Sequence, residues 1–243
     1  MFYWIYIIPR PLQPLFILSS QANFFMTRTV IFDLDGVIID SEPVHFRLER
    51  AMFDELQIPM SAEEHNSYVG MSSENMWENI VNKHHLSYEP GKLVQKKHLL
   101  YLHHLSKDKN VYPIPGVTEL IKDLYKNNFE LIVASSSPGV VIDAVLQKFN
   151  LEKYFIATVS GTQLTNSKPH PEIFLRAAQL ADSKPEECVV IEDSRNGVTA
   201  AKAAGMKCIG FANLNSGNQD LSKADVIIKS FAEINVDFVR NLQ

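Results

Sequence analysis

Two rhythms of apolar residues alternate along most of this chain. Short apolar runs, Val30-Ile-Phe32, Leu131-Ile-Val-Ala134, Cys188-Val-Val-Ile191 and Cys208-Ile-Gly-Phe211, predict strands, with weaker ones near Ile156–Val159 and Val226–Ile228. Between them apolar positions recur at helical spacing: Val117, Leu120, Ile121 and Leu124, then Ile142, Val145, Leu146 and Phe149, then Ile173, Phe174, Ala177 and Ala178. A small-residue helix over Val198–Ala204 closes with Gly205 as its C-cap. Strands alternating with helices imply right-handed crossovers. The expected class is therefore α/β, a parallel sheet with helices on both faces.

One stretch breaks the alternation. Val44, Leu48, Ala51, Met52 and Leu56 predict a helix that Pro59 ends. Residues 60–108 stay helix-like, with Met76, Trp77, Ile80 and Val81 on one face, and no strand is expected between Ile39 and Tyr112. Tyr112-Pro-Ile-Pro-Gly116 is a rigid re-entry segment. Residues 41–110 are thus expected to form an inserted all-helical cap domain, and residues 27–40 plus 111–243 the core. Hinges near Asp40–Pro43 and Asn110–Pro115 would let the cap open and close.

Residues 1–26 fit neither rhythm. Phe2-Tyr-Trp-Ile-Tyr-Ile-Ile8 is apolar, but Pro9, Pro11 and Pro14 interrupt any helix. The segment lacks both the basic start of a signal peptide and the roughly 20 unbroken apolar residues of a membrane span. It is read as a disordered or artefactual extension, with a weak membrane anchor as the alternative.

Composition narrows the partners. A net charge of −5 argues against a nucleic-acid binder. The only two cysteines, Cys188 and Cys208, both fall in predicted strands and are expected as buried reduced thiols of a cytoplasmic protein. No membrane partner is expected, and the chain is expected as a monomer or weak dimer.

The chemistry lies where strands end. Val30-Ile-Phe32 runs into Asp33-Leu-Asp-Gly36, and Cys188-Val-Val-Ile191 runs into Glu192-Asp193. In a parallel sheet both pairs of acids reach one edge, where they repel unless a cation sits among them. Hard oxygen ligands suit Mg²⁺, which pairs naturally with a phosphate substrate. An EF-hand loop is excluded, because Val37 occupies its third ligand position. Ser135 follows the second strand, and Lys168 sits in Asn166-Ser-Lys-Pro-His-Pro171.

These four motifs, in this order, resemble the haloacid dehalogenase superfamily, in its phosphatase and β-phosphoglucomutase-like branch with a helical cap. The resemblance covers residues 27 to about 232. It implies a Rossmann-like core and an enzyme acting on a small phosphorylated metabolite such as a sugar phosphate. By that resemblance Asp33 is the nucleophile that forms an aspartyl-phosphate. Asp35 is the general acid and base, its backbone carbonyl also facing the metal. Ser135, with Ser136, and Lys168 hold the phosphoryl oxygens, while Asp33, Asp35, Asp193 and Glu192 form the Mg²⁺ site. A catalytically silent relative would have lost Asp33 or Lys168, and a dehalogenase proper would not be expected to keep Asp35.

Two reactions fit this branch: hydrolysis of a sugar phosphate, the favoured expectation, and a β-phosphoglucomutase-type transfer. His45 stands where the mutase carries a cap-hinge histidine, and Lys97 lies near its cap lysine. Where the mutase has an arginine that grips a second phosphate, this chain has Ser73. Hydrogen bonds to charged groups contribute about 1.5–3 kcal/mol, so that loss weakens such a grip at least tenfold. Lys83 or Lys97 would have to compensate, with a point charge in place of a planar fork. Met71, Met76, Trp77 and Tyr101 are candidates to face the cleft, or else to form the core of the cap.

Overall fold

The structure, a computed structural model, describes residues 26–68 and 71–242. The N-terminal extension up to residue 25 lies outside the described residues. Six strands form one parallel sheet in the order β3-β2-β1-β4-β5-β6. They are β1 (Thr29–Phe32), β2 (Glu130–Ser135), β3 (Ala157–Ser160), β4 (Cys188–Glu192), β5 (Lys207–Phe211) and β6 (Val226–Ile228). β1 lies between β2 and β4, with Phe32 opposite Val133 and Ile191. From β1 the chain builds outward through β2 and β3 on one side, then returns to add β4, β5 and β6 on the other, so the carboxyl end of β1 marks a topological switch point, where open α/β sheets bind ligands.

The central strands are buried on both faces, which is why they read as unbroken apolar runs. Their residues alternate between two cores. Val30, Phe32, Leu131, Val133, Val189 and Ile191 pack into one, beneath α5 (Val117–Lys126) and α6 (Gly139–Phe149). Ile31, Ile132, Ala134, Cys188 and Val190 pack into the other, beneath α7 (Glu172–Leu180) and α8 (Arg195–Ala203). A short α9 (Val236–Arg240), not anticipated from the sequence, adds Val239 to the first core.

Between β1 and α5 come four helices: α1 (Glu42–Glu55), α2 (Ala62–Asn66), α3 (Ser73–Lys83) and α4 (Pro90–Lys107). Among the described residues no strand interrupts them. They enclose a third apolar cluster built on Met52, Phe53, Met76, Trp77, Ile80, Leu93 and Val94. The N-cap hydroxyls of Ser61 and Ser72 start α2 and α3 by accepting the Glu64 and Asn75 N–H. Helix α4 belongs to two clusters, with Leu93 and Val94 in the third and Tyr101 and Leu105 in the first. The Lys148 ammonium on α6 donates to the carbonyls of Leu105 and Asp108, each at 2.8 Å, pinning that end of α4 to the sheet layer. The two connecting strands of chain run side by side: Ile39 bridges Pro113, and the Ile114 N–H donates to the Ile38 carbonyl at 2.9 Å.

Candidate active site

The ends of β1, β2 and β4 deliver the predicted chemistry to one place. Asp33 follows β1, and its N–H still donates to the Ile191 carbonyl at 3.0 Å, continuing the ladder and fixing its direction. Glu192 ends β4, and Asp193 follows. Lys168 arrives from the loop before α7. Its ammonium lies 2.6 Å from Asp33 Oδ1 and 2.6 Å from Glu192 Oε1. The other Glu192 oxygen accepts from the Ser194 N–H at 2.7 Å and its hydroxyl at 2.9 Å. A Cβ at Gly197 would collide with the Glu192 carboxylate, and one at Gly36, held at φ +77°, would collide with Asp193. Both glycines therefore make room for acids.

One oxygen from each of Asp33, Glu192 and Asp193 lies within 4.8 Å of the others. All three residues are buried. Three carboxylates against the Lys168 ammonium leave two negative charges, the charge that one divalent cation offsets. Burial pushes the Asp33 carboxyl up to about 7, with Lys168 opposing and Glu192 and Asp35 adding to the rise. Burial, then the charges of Glu192 and Asp33, likewise push Asp193 well up, while a short hydrogen bond from the Ser216 hydroxyl opposes. Acids this uncomfortable when ionised, all with hard oxygen donors, fit Mg²⁺. Lys168 is raised: burial disfavours its charge, but Asp33 and Glu192 outweigh that.

The Asp35 carboxylate stands outside this trio and has the opposite character. Its Oδ1 accepts from the Ser41 hydroxyl at 2.6 Å, its Oδ2 from the Ser137 hydroxyl at 2.7 Å and, more weakly, from Ser135 at 3.4 Å. His45 Nε2 is 3.7 Å from Oδ1, a close approach beyond hydrogen-bond range. Burial would raise this carboxyl, yet His45, Ser41 and Ser137 override it and hold it below the usual carboxylate range. The Ser135 hydroxyl also accepts the Ser137 N–H at 3.0 Å. The loop after β5 closes the far side: Asn213 donates to the Gly36 carbonyl at 3.0 Å and Asn215 to Asp40 at 2.6 Å.

A cleft of about 190 Å³ runs from Asp35, Ser136 and Ser137 to the faces of α1, α3 and α4. His45, Met71, Met76, Lys97 and Tyr101 line it as the sequence reading allowed, and the His45 ring packs 4.3 Å from Tyr101. Trp77 is instead fully buried in the third cluster, and Lys83 sits on the surface, 2.8 Å from Glu64. Lys97 is itself buried. Its ammonium donates to Glu49 Oε1 at 2.8 Å and to the Ser73 hydroxyl at 2.8 Å, and the other Glu49 oxygen lies 2.7 Å from His65 Nε2.

Seven of these residues escaped the sequence reading: Ser41, Ser137, Ser216, Glu49, His65, Asn213 and Asn215. Ser137 carried a signal in the run Ser135-Ser-Ser137, and Glu49 in being an acid one residue from the apolar Leu48 on α1. Ser216 carried none, because its role depends on where the loop after β5 folds back.

Buried acids and one lysine at the carboxyl edge of an open parallel sheet define an α/β protein with its ligand site at the switch point. Residues 30–211 match the haloacid dehalogenase-like hydrolase family, and the chain belongs to it. It is 30% identical to the β-phosphoglucomutase of Bacillus subtilis (strain 168) over 217 residues, spanning 87% of this chain and 93% of that protein. It is 31% identical to a phosphorylated carbohydrates phosphatase of Thermotoga maritima over 84% of this chain and 98% of the relative. Among solved structures, a β-phosphoglucomutase from Clostridium difficile superposes with a TM-score of 0.76 at 25% identity, over 89% of this chain and 97% of that one.

Proposed function

We propose that this chain is a Mg²⁺-dependent phosphatase of small sugar phosphates that works through an aspartyl-phosphate on Asp33. The supporting observation is the buried Asp33 carboxylate, 2.6 Å from Lys168 and grouped with Glu192 and Asp193. An Asp33 oxygen attacks phosphorus, the bond to the ester oxygen breaks, and Asp35 gives that oxygen its proton. Water then attacks the phosphorus of the intermediate, Asp35 takes back a proton, and Asp33 leaves as inorganic phosphate forms. The hydrogen bonds that Asp35 accepts from Ser41 and Ser137 suit its ionised form, the base of that second step. Ser135, Ser136 and Lys168 hold the phosphoryl oxygens, Lys168 with a charge that its partners sustain. Asp33, Glu192 and Asp193, with the Asp35 backbone carbonyl, would hold Mg²⁺, which supplies positive charge for the transferring oxygens.

Residues 41–110 act as the cap, closing α1–α4 over the sheet edge to exclude bulk water. Buried free Cys188 and Cys208 suit a reducing cytoplasm, and no helix of the described residues is long and apolar enough to cross a membrane. The second reading is a β-phosphoglucomutase-type transfer, favoured by His45 beside Asp35 and by Lys97 in the cleft. Against it, Ser73 offers no cation, and Lys97 is already engaged by Glu49. Incubation with Mg²⁺ and sugar phosphates separates the two. Stoichiometric phosphate release supports the hydrolase. Conversion of β-glucose 1-phosphate to glucose 6-phosphate, primed by a bisphosphate and with little phosphate lost, establishes the mutase instead.

A further inference from the structure

The loop after β5 is a polar stretch with one residue turned inward. Among residues 213–220 only Ser216 is buried, at 5% exposure. A hydroxyl withdrawn from water needs a partner, and that of Ser216 donates to Asp193 Oδ2. The loop around it is braced against both acid-bearing motifs. Asn213 Nδ2 donates to the Gly36 carbonyl at 3.0 Å, Gln219 Nε2 donates to the Ser216 carbonyl at 3.0 Å, and Gln219 Oε1 accepts the Arg195 N–H at 3.0 Å. Gly36 supplies the space, because a Cβ there would collide with both Asp193 Oδ2 and Ser216 Oγ. No hydrogen bond reaches Asp193 Oδ1 among the described residues, so this carboxylate presents one bare oxygen. Its neighbours are restrained in a similar way, since Asp33 and Glu192 each have an oxygen bonded to Lys168.

We infer that Ser216 is a positioning residue that keeps Asp193 to a single ligand oxygen and thereby biases the site toward Mg²⁺ over Ca²⁺. The inference rests on the metal reading of the acid trio and adds what selects the ion. Mg²⁺ demands octahedral geometry and keeps several waters, so single carboxylate oxygens suit it. Ca²⁺ gathers about six to eight oxygens and readily takes both from one carboxylate. With Oδ2 held by Ser216, that two-oxygen mode would cost a buried hydrogen bond. Without the hydroxyl, Asp193 can turn and offer both oxygens, a change that serves the larger ion and loosens the grip on the smaller. Ser216 touches no reacting atom. It acts through Asp193, as the partners that orient metal ligands commonly do.

Calorimetric titration of the full chain with magnesium chloride and with calcium chloride, without substrate, tests this. Ser216→Ala should weaken Mg²⁺ binding by about tenfold while Ca²⁺ binding holds or tightens, so the ratio of the two dissociation constants moves toward Ca²⁺ by about tenfold or more. Asn215→Ala removes the neighbouring bond to Asp40 without touching Asp193, and its ratio should stay that of the wild type. Should Ser216→Ala fail to fold, Ser216→Cys fills the same position with a weak donor and should move the ratio the same way by a smaller factor. A wild type that binds neither ion overturns the metal reading and the inference with it. A wild type that binds Mg²⁺, with folded Ser216 variants whose ratio does not move or an equal shift in Asn215→Ala, overturns the inference alone.

Discussion

Lys168 and Lys97 are both buried ammonium groups bonded to carboxylates, yet they stand in opposite electrostatic settings. Lys168 lies between Asp33 and Glu192 with Asp193 close by, so its site retains two negative charges. Lys97 meets one acid, Glu49, and a hydroxyl, so its pair is balanced. The first arrangement is incomplete without a cation. The second is complete, and its residual polarity lies in hydrogen-bond donors and acceptors. A buried lysine therefore does not mark a phosphate site by itself; the acids around it decide what it can attract.

The sharpest test removes the proposed nucleophile. Asp33→Asn should lower phosphate release by on the order of 10⁴-fold or more while the far-ultraviolet dichroism stays that of the wild type. Retained turnover would take Asp33 out of the covalent role. The lysine comparison comes next. Lys168→Met leaves two buried acids without their cation and should cost roughly 3–5 kcal/mol in denaturant unfolding, a loss that Mg²⁺ partly restores. Lys97→Met should cost less, about 1–3 kcal/mol, because His65 still donates to Glu49, and Mg²⁺ should not change it. If Mg²⁺ rescues both variants or neither, the two settings are not as different as described.

The smallest effect is a pH slope. Burial opposes it, but the hydrogen bond from His65 and the charge of Lys97 hold the Glu49 carboxyl below its ordinary value. A carboxyl depressed on folding adds stability that is fully present above the unfolded value and disappears as pH falls through the folded one. Wild type should therefore lose stability on acidification below 4.5 more steeply than Glu49→Gln. Parallel unfolding curves across that range would remove Glu49 from the account.

The sheet was legible in the sequence because β1, β2 and β4 are buried on both faces and their apolar runs admit little else. The gathering of acids at the sheet edge was legible for a related reason. Asp33, Ser135 and Glu192 sit at or just beyond strand ends, so their convergence follows from the parallel order alone. The cleft between the helices was harder to foresee. Lys97 in Lys96-Lys97-His98 has the local look of a solvated surface, and only the packing of α4 against α1 and α3 buries it against Glu49 and Ser73. Ser216 lies more than twenty residues from Asp193, and no local pattern could announce their contact.

Helix α4 has a mechanical consequence. Its last turn is clamped by Lys148 to α6, while its first turns are embedded among α1 and α3. Eighteen residues span roughly 27 Å, so a tilt of about ten degrees at the clamped end swings the Pro90 end by roughly 5 Å. The helix is a lever with its fulcrum beside the sheet. Lys97, about midway along it, would travel half as far, roughly 2.5 Å, when the far rim gapes widest.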